Sequence, residues 1–206
     1  MNFEFSEEQQ MLRDQARSYL TQHCPTTLVR RVLNNRETHD ADLYKGIAEM
    51  GWTATTIPEE YGGLGMSHLE LVVIAEELGR ACAPVPFSSS VYLAAEAIMA
   101  LGTEAQKQAW LPKLADGSAI GCFALGEAGG AVTPDQISTS IADGVINGTK
   151  VPVADGGIAD VAIVVCKSDG GDGATLALVD LSQDAVAKDN VQMIDFSRGH
   201  SELTFN

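Results

Sequence analysis

A short apolar run, Gly121 to Leu125, leads into Gly126-Glu127-Ala128-Gly129-Gly130. Glycines placed directly after such a run let backbone approach a ligand closely, so the turn reads as the cofactor-facing end of a strand. It carries no hydroxyl, cation or histidine, which leaves main-chain amides as its donors. A second glycine cluster, Gly62-Gly63-Leu64-Gly65, follows Pro58 and Tyr61. It lacks the Lys-Ser/Thr pair of a phosphate loop and follows no strand, so it reads as a structural turn anchored by Tyr61. Glu59, Glu60, Glu76, Glu77 and Glu127 are the carboxylates nearest these stretches. Unpaired carboxylates are seldom buried, and each reads as a solvated or capping group rather than a general base.

The remaining reactive residue types form no constellation. His23, His39, His68 and His200 lie at dissimilar points without partner spacing, and read as surface or packing residues. Cys24, Cys82, Cys122 and Cys166 form no C-x-x-C pair. Four free thiols in a reducing cytoplasmic compartment is the better reading than a metal site or a disulfide framework. Arg198-Gly199-His200 reads as a turn, with contact to an adenine or phosphate at a domain edge as the alternative. Trp52 and Trp110 read as core anchors at helix ends. The net charge of −15 repels phosphate backbones, so a nucleic-acid partner is not expected. Residues 91–102, the longest apolar stretch, are too few to span a bilayer and include Glu96, and Met1 leads into Glu-rich sequence without a signal peptide.

These residues must be positioned by two kinds of element. Ser6 with Gln9, Ser67 with Glu70 and Thr103 with Gln106 are capping boxes that predict three helix starts. Behind Ser6, Met11, Leu12, Ala16, Tyr19 and Leu20 recur at helical spacing. Asp40 precedes a helix with Leu43, Tyr44, Ile47 and Met50 as its stripe and Gly51 as its stop. The helix after Ser67 is apolar on most sides from 71 to 75, which predicts a path through the core. Further helices are predicted over 89–101 and 104–115. From Ser118 the pattern shortens to strands. Asp143-Gly144 marks one hairpin, and a second joins residues 161–166 to 175–181. VQMI (191–194) and SELTF (201–205) supply two more strands. The expected fold is α+β and multidomain. An N-terminal all-α bundle over 1–118 precedes a small, mostly antiparallel β-barrel-like domain over 119–206. Because the chain stops directly after a strand, the second domain reads as incomplete.

IPEEYGGLGMSHLELVVIAEELGRACAP (57–84) and LGTEAQKQAWLPKLADGSAIGCFALGEAGG (101–130) resemble two signature blocks of the acyl-CoA dehydrogenase family. FEFSEEQQMLRDQARSYL (3–20) is similar to the family's first helix. VINGTKVPVADGGIADVAIVVCKSD (145–169) is similar to its central hairpin, and RGHSELTFN (198–206) to a strand near the end of its middle domain. The resemblance covers essentially the whole chain in order. It implies a helical domain, a middle β domain and a C-terminal four-helix domain absent from this chain, with FAD held between them. The implied activity is α,β-desaturation of an acyl-CoA thioester from fatty acid or steroid ester catabolism. A glutamate beyond the second domain takes the α-proton and flavin N5 takes the β-hydride, so no catalytic residue is assigned here. Electron-transfer flavoprotein is the implied acceptor and a dimer or tetramer the implied assembly.

Family members carry Thr-Glu-Pro where this chain has Gly126-Glu127-Ala128, and Trp-Ile-Ser/Thr-Asn-Gly where it has Pro152-Val153-Ala154-Asp155-Gly156. The resemblance therefore implies Phe123, Leu125, Gly126, Val153 and Ala154 as FAD-binding positions, without the flavin-facing hydroxyls and aromatic wall. A lost hydrogen bond costs about 0.5–1.5 kcal/mol and a lost aromatic contact a comparable amount, so three such losses weaken FAD binding by roughly tenfold to a few hundredfold. That loss keeps a second reading open: a partner subunit without flavin of its own, paired with a competent acyl-CoA dehydrogenase chain. A third is an acyl-CoA or acyl-carrier binding module without redox chemistry.

Overall fold

The computed structural model describes residues 5–130, 133–168 and 173–206. Phe3 and Glu4 of the opening motif, Ala131 and Val132 of the glycine-rich turn, and residues 169–172 of the second hairpin turn lie outside them. The helical half comprises α1 (Glu7–His23), α2 (Thr26–Asn35), α3 (Ala41–Glu49), α4 (His68–Arg80), α5 (Glu96–Leu101) and α6 (Glu104–Ala115). All three capping boxes form with both of their reciprocal hydrogen bonds. Asp40 caps α3 by accepting from the Leu43 amide at 2.7 Å, and Gly51 ends it in the left-handed region. The sequence reading lacked α2, which follows Pro25 and has no side-chain cap. The helix expected over 89–101 is π-helical from Ser88 to Ala95 and only then becomes α5.

Leu20, Ile47, Trp52, Ile74 and Val91 close one helical core. Each large apolar side chain buried there stabilises the fold by about 1.5–3 kcal/mol. The 51–65 segment folds back on itself. Leu64, Gly65 and Met66 amides donate to the carbonyls of Ala54, Ile57 and Thr55. Gly63 is required at that crossing, since a Cβ would stand 1.8 Å from the Ile57 oxygen. Tyr61 is buried and donates to Glu104 Oε2 at 2.9 Å, which makes the cluster the structural turn its spacing predicts.

The β half contains β1 (Gly121–Ala124), β2 (Ser140–Ala142), β3 (Val145–Ala154), β4 (Val161–Ser168), β5 (Ala174–Asp180), β6 (Val186–Val191) and β7 (His200–Phe205). Their order is β1-β4-β2-β3-β7-β6, with β5 on the other side of β4. The hairpins β2–β3 and β4–β5 form as predicted, the first through left-handed Asp143 and Gly144. The pairing is mostly antiparallel, as expected, and the sequence did not reveal that the short strands β1 and β2 run parallel to β4. The strand expected over 191–194 lies at Val186–Val191, where register with β7 is available, and Ile194 is fully exposed beyond it.

The halves meet where β1 crosses the π-helical segment. Gly121 packs so closely on Ala94 that a Cβ would lie 2.4 Å from the alanine methyl, and the Gly121 amide donates to Ser90 Oγ at 3.2 Å. Ala94, Ile98, Leu111 and Leu114 from the helices share one core with Val161 and Ile163 of β4. Among the described residues, no helix is long and apolar enough to cross a membrane.

Candidate functional site

The end of β1 and the end of β3 lie side by side. The Val151 amide donates to the Gly126 carbonyl at 2.9 Å, and Lys150 Nζ donates to the Leu125 carbonyl at 3.1 Å. Phe123, half-buried, faces the core shared with the helices, while Leu125 is exposed at 36%. Gly126 and Ala154 are half-buried, and the Ala154 carbonyl accepts from Ser89 Oγ at 3.5 Å. Val153 is fully buried among Cys122, Ala124 and Val164, so its side chain belongs to the β core and only its backbone lies beside the other four positions.

The geometry also directs two amides. In a planar trans peptide the C=O and N–H point in opposite directions. The Leu125 carbonyl turns onto the Lys150 ammonium and the Gly126 carbonyl onto the Val151 amide, both groups of β3. The Gly126 and Glu127 N–H groups therefore point away from it, and neither has an acceptor among the described residues. A threonine at 126 is opposed by the Val151 carbonyl, which a Cβ would approach to 3.1 Å.

Beneath this turn lies a buried ion pair. Lys150 is fully buried and its Nζ stands 2.8 Å from Glu127 Oε1. Glu127 also accepts from the Thr139 amide, the Ser138 amide and Ser138 Oγ. Burial alone pushes the Glu127 carboxyl up. The Lys150 ammonium and the Ser138 and Thr139 donors outweigh it and hold the group well below the usual carboxylate range. The reading of Glu127 as solvated is thereby corrected. Glu77 is corrected likewise: it is fully buried, with Arg17 at 2.6 Å and Arg80 at 2.6 Å. Glu59, Glu60 and Glu76 are exposed as expected.

A second polar cluster flanks Ala154. Asp155, 2% exposed, accepts from Ser89 Oγ at 2.6 Å and from Arg198 Nη2 at 2.5 Å. It ties the π-helical segment to the ends of β3 and of the β6–β7 loop. Arg198 thus pairs with a buried carboxylate, and sequence reasoning missed it because 43 residues separate the partners. Arg198 also borders a cavity of about 380 Å³ lined by Leu78, Val85, Phe87, Ser88 and Tyr92. That volume lies within the usual range of small-molecule pockets, about 300–1,000 Å³. All four cysteines are free thiols, and no group of metal-ligating side chains forms among the described residues.

Residues 6–118 match the family model described as "Acyl-CoA dehydrogenase, N-terminal domain". The chain belongs to the acyl-CoA dehydrogenase family. It is 33% identical over 171 residues to an acryloyl-CoA reductase (NADH) of Anaerotignum propionicum, covering 80% of this chain and 43% of that protein. It superposes over its whole length on 56% of a chain in the ChsE4–ChsE5 complex from Mycobacterium tuberculosis, with 28% identity and a TM-score of 0.86. It also superposes on an acyl-CoA dehydrogenase complexed with FAD from Bacillus anthracis. There the TM-score is 0.84 at 26% identity, over 98% of this chain and 36% of that one. The chain therefore spans about half the length, or less, of the relatives it matches.

What this wall could offer a flavin is main-chain donors and apolar surface. The two outward amides at Gly126 and Glu127 match the acceptors of a flavin's pyrimidine edge, and Phe123 and Leu125 add apolar surface. Side-chain hydroxyls are absent at Gly126 and Ala154, and Pro152 is exposed with no aromatic ring to offer.

Proposed function

We propose that this acyl-CoA dehydrogenase family member holds FAD against the ends of β1 and β3 and serves in α,β-desaturation of an acyl-CoA thioester. The observation that carries this reading is the pair of amides at Gly126 and Glu127, which have no acceptor among the described residues and lie beside Phe123, Leu125 and Ala154. When bound, FAD supplies the hydride acceptor of that reaction. The chain's own part is to fix the acceptor's edge with backbone donors and to keep water from its face with Phe123 and Leu125. The apolar cavity walled by Leu78, Val85 and Phe87 takes the acyl group. No residue of this chain is proposed as the α-proton acceptor. Electron-transfer flavoprotein is the proposed electron acceptor, and the assembly is a dimer or tetramer.

One set of observations favours a second reading, a partner subunit that leaves the flavin to another chain: Gly126, Pro152 and Ala154 stand at the three positions where side chains would hold the ring. The similarity to a chain of the ChsE4–ChsE5 complex supports assembly with a second chain. Purifying the intact protein, alone and with any chain that co-purifies, separates the two. Flavin absorbance in the protein alone, bleached anaerobically by an acyl-CoA thioester, is the expected result. Absorbance that appears only with the second chain selects the partner-subunit reading, and no flavin in either preparation overturns the redox role.

A further inference from the structure

We infer that Lys150 is a positioning residue for the flavin edge, acting through the Leu125 carbonyl; this rests on the FAD reading above. Lys150 lies in the middle of β3, fully buried, where an aliphatic side chain would cost far less desolvation. Its ammonium makes two contacts, the Glu127 carboxylate at 2.8 Å and the Leu125 carbonyl at 3.1 Å. The first contact neutralises the charge. The second fixes the peptide between Leu125 and Gly126.

Rotation of that peptide decides what the site can offer a ligand. With the carbonyl turned inward onto Lys150, the Gly126 N–H on the same peptide faces outward. Val151 does the same for the next peptide by donating to the Gly126 carbonyl, which leaves the Glu127 N–H outward as well. Val151 acts through its main chain, whereas the Leu125 carbonyl is held by a side chain and is open to mutation. Glu127 anchors the far side of the turn by accepting from the Ser138 amide and hydroxyl and the Thr139 amide. Lys150 and Glu127 therefore work as one clamp across three chain segments. With no threonine at 126, the donors of this turn are main-chain amides, and the aim of these two matters more than in a site with a hydroxyl to spare.

The test uses the intact protein, stripped of flavin and titrated with FAD while its fluorescence is followed. Lys150→Met frees the Leu125 carbonyl. The paired Glu127→Gln, Lys150→Met variant does so without leaving a lone buried carboxylate, in case the single variant unfolds. Glu77→Gln, which weakens another buried ion pair remote from the turn, is the control for general loss of stability. The expected result is about tenfold weaker FAD binding in the Lys150 variants, the scale of one directed hydrogen bond. The bound flavin's midpoint potential should also fall, because donors at the pyrimidine edge stabilise the negative charge of the reduced ring. Glu77→Gln should change the melting temperature without moving either. Unchanged affinity and potential in a folded Lys150 variant overturn the clamp alone. Failure of the unmodified protein to take up FAD, alone or with its co-purifying chain, overturns the FAD reading itself.

Discussion

At the scale of single residues, the site is defined by what Gly126, Pro152 and Ala154 omit and by what the main chain supplies instead. Gly126 is held between the Val151 amide and the Val151 carbonyl, so a larger residue there competes with the backbone it must rest on. Ala154 has no such conflict, being half-buried at the end of β3. Ala154→Thr is therefore the simpler restoration of a hydroxyl. It is expected to tighten FAD binding about three- to tenfold, the worth of one hydrogen bond, in a fluorescence titration of the intact protein. No change would mean that the residue does not face the ring. The strand end before Gly126 was legible from the sequence because an apolar run ending in glycines marks one, and β1 closes at Ala124. The Lys150–Glu127 and Asp155–Arg198 pairs were not, since 23 and 43 residues separate the partners and neither spacing is local. A lysine inside a strand whose inward neighbours are apolar was the one available signal.

At the scale of elements, the helices were legible wherever a cap was written in side chains. Ser6, Ser67 and Thr103 each began a helix where their capping boxes said. Helix α2 was missed because it starts at Thr26 behind Pro25 without a cap bond, and β6 was misplaced because apolar Met193 and Ile194 drew the strand past its true register with β7. The contact that joins the two halves, β1 on the π-helical segment, turns on small residues. Gly121→Ala would press its methyl against Ala94, and overpacking of this kind costs about 1–3 kcal/mol. A lower melting temperature is expected for Gly121→Ala, with partial recovery in the Gly121→Ala, Ala94→Gly pair. Equal melting temperatures for all three proteins would show that the halves do not rest on this crossing.

At the scale of the whole molecule, net charge of −15 coexists with buried carboxylates that need their cations. Glu77 is held low first by the hydrogen bond from Arg17, and Glu127 is held low by Lys150 and its other donors against the pull of burial. A carboxyl with a depressed folded pKa contributes stability that is present above its unfolded value, about 4.3, and is lost as pH falls below it. Melting temperature should stay level from neutral pH down to about pH 5 and then drop. The drop should be shallower in the Glu127→Gln, Lys150→Met pair, which has one fewer carboxyl to protonate. An identical acid profile for both proteins would contradict the assigned pairing.

The central claim is that the ends of β1 and β3 form the wall of a flavin site in this chain. The ratio of FAD to polypeptide in the intact purified protein tests it most directly, measured from flavin absorbance after denaturation. One FAD per copy of this chain is the expected value. A protein that folds, assembles and carries no FAD on this chain, whatever chain accompanies it, would contradict the account.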